Sequence, residues 1–188
     1  RIIIPNFLDK NFENIKINYN RKPIIIWSVS REKGLKETLS IWCKYIHKKH
    51  PNAEFHIFGT KKYNILNYNK NNIYFHGRVS KKTLIKYYKN SIASICLGFD
   101  ETFCLNAIES MSCGVPVLSF KKTALISLIK NNKNGFKLNN FLHLANKINK
   151  LILYTKLQRI RIIDSSYKHS KKFYFENVEK KWVKLILK

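Results

Sequence analysis

Two acids in an apolar stretch carry the strongest chemical signal in this sequence. Glu101 stands in the polar word Asp100-Glu101-Thr102-Phe103, between a β-branched run and a short helical pattern. Glu109 follows eight residues later, among Ala107, Ile108, Met111 and Cys113. On one helix the pair would lie about 80° apart in projection and about two turns apart along the axis. Carboxylates so placed can address two ends of one polyhydroxylated ligand. A helix N-terminus also offers unpaired N–H groups and a positive dipole end, which suit phosphate. The plainer reading makes Thr102 an N-cap and Glu101 a dipole partner. Glu109 resists that reading, because an acid in a buried strand-helix-strand unit needs a partner.

These residues need a scaffold, and the signals along the chain alternate between strand and helix. Ile24 to Trp27, Glu54 to Phe58, Ile73 to His76, Ile92 to Leu97 and Val115 to Phe120 read as buried strands, with a small sixth from Phe136 to Leu138. Helical patterns run from Gly34 to His50, from Ser80 through Tyr88, and from Phe103 to Cys113. Beyond Phe141 the chain reads as helical, ending in an amphipathic helix near Asn177 to Leu187. Lys61 to Asn72 is loop-like. The alternation predicts an α/β fold: a doubly wound, Rossmann-like parallel sheet with helices on both faces. Ligands of such sheets bind beyond the carboxyl ends of the strands. Two unusual polar clusters fall there, Ser28 to Gly34 and Gly98 to Asn106.

The chain has 188 residues, enough for one domain with a sizeable core, and its 45% apolar content excludes a disordered basic tail. No apolar run approaches the roughly 18 residues of a membrane span, and no signal-peptide pattern opens the chain. The first residue is Arg rather than Met, so a longer parent chain is expected. The formal net charge of +25 invites a nucleic-acid reading, but 30 of the 36 basic residues are Lys, spread along the whole length beside 21 Asn and 25 Ile. Readers of bases and phosphates favour Arg, whose planar fork binds bidentately. No specific nucleic acid is expected, and an anionic membrane surface or an acidic glycan stays open as a partner. Cys43, Cys96, Cys104 and Cys113 lack metal-site spacing, and the six histidines form no metal motif. Buried thiols suit a reducing, cytoplasmic compartment, with a peripheral membrane location left open.

The run from Glu101 to Val117, ETFCLNAIESMSCGVPV, closely resembles the Glu-x7-Glu signature of family-4 glycosyltransferases, E-x-F-G/C-L-x-x-x-E-A-M-A-x-G-x-P-V. Other words agree in order. Trp27 to Leu35 is similar to the basic loop that opens the family's donor half. Pro51 to Gly59 and Asn72 to Val79 resemble two of its strands. Asn134-Gly135-Phe136 is similar to its N-G turn, and Ile4-Pro5-Asn6 to its leading segment.

The resemblance implies the C-terminal half of a retaining glycosyltransferase of the GT-B fold. Residues 1–188 would form one nucleotide-sugar-binding domain, with a crossing helix over about 170–188. The N-terminal acceptor domain would lie outside this sequence, and this half alone would be inactive. Glu101 would bond hydroxyls of the transferred sugar, and Glu109 those of the ribose. Backbone N–H groups near Thr102, Phe103, Cys104 and Leu105 would receive sugar or phosphate oxygens. Lys33 would neutralise the diphosphate leaving group, and Gly77 and Arg78 would face the base. The donor would be a nucleotide-diphosphate sugar, with neither cofactor nor metal. The sequence departs from the family in one respect above all. Its usual Gly-Arg pair is missing: Ser28 occupies the Arg position, and Arg31 or Lys33 would compensate. Two rival readings are a non-catalytic nucleotide-binding domain and a charge-driven polyanion-binding module. Plainer structural roles also stand beside these, with Lys33 and Arg78 as solvated surface charges.

Overall fold

The computed structural model describes residues 4–29, 34–60, 69–97, 103–121 and 124–187. Six strands form one parallel sheet: β1 (Ile24–Trp27), β2 (Glu54–Phe58), β3 (Ile73–Gly77), β4 (Ala93–Ile95), β5 (Val117–Phe120) and β6 (Gly135–Leu138). Their order is β3-β2-β1-β4-β5-β6. The order reverses between β1 and β4, so a crevice opens beyond the carboxyl ends of those two strands. β1, β4 and β5 are buried along their whole length, as expected of strands covered on both faces.

Helix α1 (Leu35–Ile41) continues through wider π-helical turns, Trp42–His47. It packs with α4 (Phe141–Ile152), while α3 (Leu105–Ser112) packs with α5 (Lys156–Ser170). Helix α2 (Lys81–Asn90) lies against β1. The expected doubly wound α/β architecture is therefore present. Ser80 caps α2 by accepting from the Thr83 amide, and Thr155 forms a capping box with Gln158 at α5. The last helix, α6 (Phe175–Ile186), buries only Val178 and leaves Trp182 half exposed.

Several expected boundaries shift. β4 and β5 are shorter than the apolar runs that suggest them. α3 begins at Leu105, with its N-cap at Cys104 and no side-chain cap bond. The N-cap position thus does not fall on Thr102. Gly114 does end α3 as expected: its φ is 75°, and its N–H donates to the Met111 carbonyl at 2.8 Å. Cys96, Cys104 and Cys113 are buried, while Cys43 is only half-buried.

Gly135 pairs in register with Val117, and a Cβ there would sit 2.4 Å from the Val117 carbonyl oxygen. Backbone on an adjoining strand cannot yield cheaply. Gly135→Ala is therefore expected to destabilise the domain by about 2 kcal/mol or more, in the range of core overpacking. Urea denaturation checks this, and an unchanged midpoint would refute it.

Candidate functional site

Helices α2 and α3 both start at the carboxyl end of the sheet. Their first turns and the segment before β1 enclose a hollow of about 450 Å³, lined by Asn6, Phe7, Asp9, Lys81, Leu105 and Glu109. Other hollows exist, including ones around Tyr154 and α5, but those sit away from Glu109 and Leu105. Leu105 is 44% exposed at the rim. Phe103 lies edge-on to Phe173, with ring centroids 6.0 Å apart. The N-cap residue Cys104 makes no side-chain cap bond, so it leaves the leading amides of α3 for another acceptor, as an anion-receiving terminus requires.

Glu109 is the titratable group that this arrangement perturbs most clearly. Burial pushes its carboxyl up to about 7, against a partial opposing pull from Lys81 and a small push from Asp9. Among the described residues no side chain donates a hydrogen bond to it. Glu109 instead lines the hollow together with Lys81 and Asp9. Asp9 is the opposite case: the bond from Lys81 and those from Asn11 hold its carboxyl down at about 2.

Ser28 ends up at the switch point, buried one residue past β1. Its Oγ accepts from the Tyr88 hydroxyl at 2.6 Å, and its carbonyl accepts from the Asn106 side-chain amide. The first bond ties α2, and the second the N-terminal turn of α3, to the end of β1. Ser28 is thereby a brace between the two helices that border the hollow. Gly77 ends β3 with φ at 62°, and a Cβ there would meet nothing within 4 Å. Backbone is thus presented to open space, with exposed Arg78 next in line. Behind it, His76 stacks on Phe58 and shares a 2.8 Å hydrogen bond with His56, which also bonds Glu54. Burial holds both imidazoles below their ordinary values, which favours their neutral form.

The structure therefore brings Glu109 and Leu105 together, with Ser28 tied to the same helix. Gly77 and Arg78 lie apart on the edge strand. Arg31, Lys33, Glu101 and Thr102 lie outside the described residues. Sequence reasoning missed Tyr88, Asn106, Asp9 and Lys81. Asn106 carried a usable signal, being an amide inside the Glu-x7-Glu word. The others lie far from that word in sequence. Among the described residues, no group of three or more His, Cys, Asp or Glu could hold a metal, and no helix is long and apolar enough to cross a membrane.

No curated protein matches the chain. Solved structures do. One is a variant of S. aureus TarM in complex with Fondaparinux, alpha-GlcNAc-glycerol and UDP. It is 22% identical, with a TM-score of 0.80 over 98% of this chain and 39% of its own. Anabaena Alr3699/HepE in complex with UDP and glucose is 18% identical, with a TM-score of 0.68 over 90% of this chain and 49% of its own. The C-terminal domain of the group 1 protein LpcC from Francisella tularensis is 20% identical, with a TM-score of 0.65 over 90% of this chain and 96% of its own. The chain thus spans about two fifths of the length of the TarM chain it matches. At these identities the likeness establishes the fold, which is that of the GT-B transferases. Residues 9–169 match the family described as "Glycosyl transferases group 1", and the chain belongs to that family.

Proposed function

We propose that this chain is the donor-binding half of a retaining, family-4-like glycosyltransferase. It holds a nucleotide-diphosphate sugar while a second domain presents the acceptor. The observation that carries this reading is Glu109, a half-buried acid with no described hydrogen-bond donor, facing a groove between two helix N-termini. A carboxylate there accepts two hydrogen bonds from the hydroxyls of a ribose diol. The uncapped start of α3 then lies where phosphate or sugar oxygens can bond its amides. Lys33 supplies positive charge to the departing diphosphate, and Glu101 orients the transferred sugar. Fixed charges of this kind act most strongly as charge develops in the transition state. The UDP bound by TarM and HepE supports a uridine nucleotide as the first candidate. The lone LpcC domain supports independent folding of such a half.

Calorimetric titration with UDP-glucose, UDP, GDP and ADP, with Glu109→Ala as control, tests the reading. One nucleotide class is expected to bind, and the substitution to weaken it about 100-fold, as loss of two hydrogen bonds to a charged group implies. No binding by any of them would sink the proposal. Binding that ignores Glu109 and falls steeply with salt would instead favour the charge-driven module. Sustained sugar transfer by this chain alone would overturn the claim that it is only the donor half.

A further inference from the structure

Three charged side chains meet in the groove, each from a different element. Lys81 is the first residue of α2, Glu109 sits one turn into α3, and Asp9 precedes the short turn Lys10–Phe12. The Lys81 ammonium is bonded to Asp9 and not to Glu109. Asp9 is itself fixed, accepting from the backbone N–H of Asn11 at 2.9 Å and from its side-chain amide at 2.7 Å. The restraint therefore runs from Asn11 through Asp9 to Lys81. Tyr88 on α2 and Cys113 beyond α3 are the other described titratable neighbours, and burial keeps both protonated at neutral pH. Lys81 is thus the only described cation acting on Glu109, and Asp9 the only described carboxylate opposing it.

We propose that Asp9 and Lys81 are positioning residues for the donor: Lys81, restrained by Asp9, sets how readily Glu109 takes the charged form that a ribose diol needs. This rests on the reading of Glu109 as the ribose acceptor. The ion pair can rearrange at little cost, because both partners reach water and exposed pairs are weak. Removing the Asp9 charge releases the flexible lysine stem to turn toward Glu109 and favours the carboxylate. Removing Lys81 leaves Asp9 as an uncompensated like charge and favours the protonated acid.

The test reads Glu109 directly and through a ligand. Carbon NMR titration of the unliganded chain follows the Glu109 carboxyl, assigned by its loss in Glu109→Gln. UDP-glucose affinity is measured in parallel from about pH 6 to about pH 9, a range in which its diphosphate diester does not titrate. Asp9→Asn is expected to lower the Glu109 midpoint and to tighten UDP-glucose binding several-fold near pH 6.5. Lys81→Met is expected to raise the midpoint and weaken binding there by a similar factor, and Lys81→Arg to restore it. All variants should converge at the alkaline end. A midpoint unmoved by either substitution, or moved in one direction by both, overturns the proposal whether or not nucleotide binds. A Lys81→Met loss that is equal at every pH also overturns it, since that would mark a simple phosphate contact. Opposite shifts without binding of UDP-glucose, UDP, GDP or ADP would refute the ribose reading of Glu109, and with it the donor role of the pair.

Discussion

Glu109→Gln is expected to yield a protein that is more stable above neutral pH and nearly unable to hold a nucleotide-sugar. The carboxyl titrates at about 7 in the folded chain, against an ordinary value of 4.5. Its folded value is raised, so the unfolded chain gives up this proton first as pH rises. The stability cost is absent below about pH 4.5, grows between about 4.5 and 7, and is constant above that. At about 1.4 kcal/mol per pH unit the full span is about 3 kcal/mol, which water in the groove trims to about 2. Glutamine has the same shape and no charge, so it escapes this cost. Thermal unfolding midpoints of the two proteins should coincide near pH 4 and separate by several degrees at pH 8. Parallel profiles would refute the claim. The functional side has the opposite sign. A ribose diol donates two hydrogen bonds to a carboxylate but meets an N–H₂ donor on glutamine, and bonds to a charged group are worth about 1.5–3 kcal/mol each. Affinity for UDP-glucose should fall about 100-fold at pH 8. In the unsubstituted chain it should also rise about tenfold from pH 6 to pH 8, as ligand binding draws off the carboxyl proton. The variant should show no such slope. A residue that costs stability when the groove is empty and gains binding when it is filled is what a binding site, rather than a packing position, would show.

The architecture was legible because its signals are local. Short apolar and aromatic stretches ending at Gly59 and Gly77 marked β2 and β3, and Ser80 and Gly114 marked helix ends that the structure reproduces. The site was only partly legible, because its register depends on distant contacts. Thr102 had the right chemistry for an N-cap, yet the cap falls on Cys104, behind Phe103. Phe103 in turn packs on Phe173, a partner that no local pattern specifies. The brace from Tyr88 to Ser28 joins residues 60 apart, and the one from Asn106 to Ser28 joins residues 78 apart. Lys81 and Asp9 are 72 residues apart and looked like ordinary surface charges. Only the closed sheet, with α2 and α3 starting side by side, turns them into neighbours of Glu109. The charge of +25, conspicuous in the composition, accounts for none of this geometry.

Arg21→Met is expected to be strongly destabilising. Arg21 is 5% exposed and has no carboxylate partner among the described residues. Its guanidinium instead collects three carbonyls: Nε donates to Asn18 at 2.8 Å, Nη1 to Ser91 at 2.8 Å and Nη2 to Cys113 at 2.7 Å. Ser91 is the C-cap of α2, and Cys113 is the C-cap of α3. Helix C-termini carry partial negative charge, so two dipole ends compensate the buried cation where a carboxylate otherwise would. Burial lowers its proton affinity to about 10, which still leaves it charged at neutral pH. Gly114 is shaped to the same group, since a Cβ there would lie 2.8 Å from Nη2. Methionine fills comparable volume but bares three carbonyls, so the cost should be about 3–5 kcal/mol, as when one partner of a buried charged network is removed. That is a large fraction of the roughly 5–15 kcal/mol that holds a domain folded. Lysine keeps the charge but cannot span three acceptors, and Arg21→Lys should cost about 2 kcal/mol, near the price of carbonyls left unpaired. Urea denaturation of both variants measures these losses, and a change below about 1 kcal/mol for Arg21→Met would refute the account. The residue also bears on function through the helices it ties. α2 carries Lys81 at its start and α3 carries Glu109 one turn in, and Arg21 clamps the far ends of both helices, so one cation at the base of the sheet bears on the spacing of these charges.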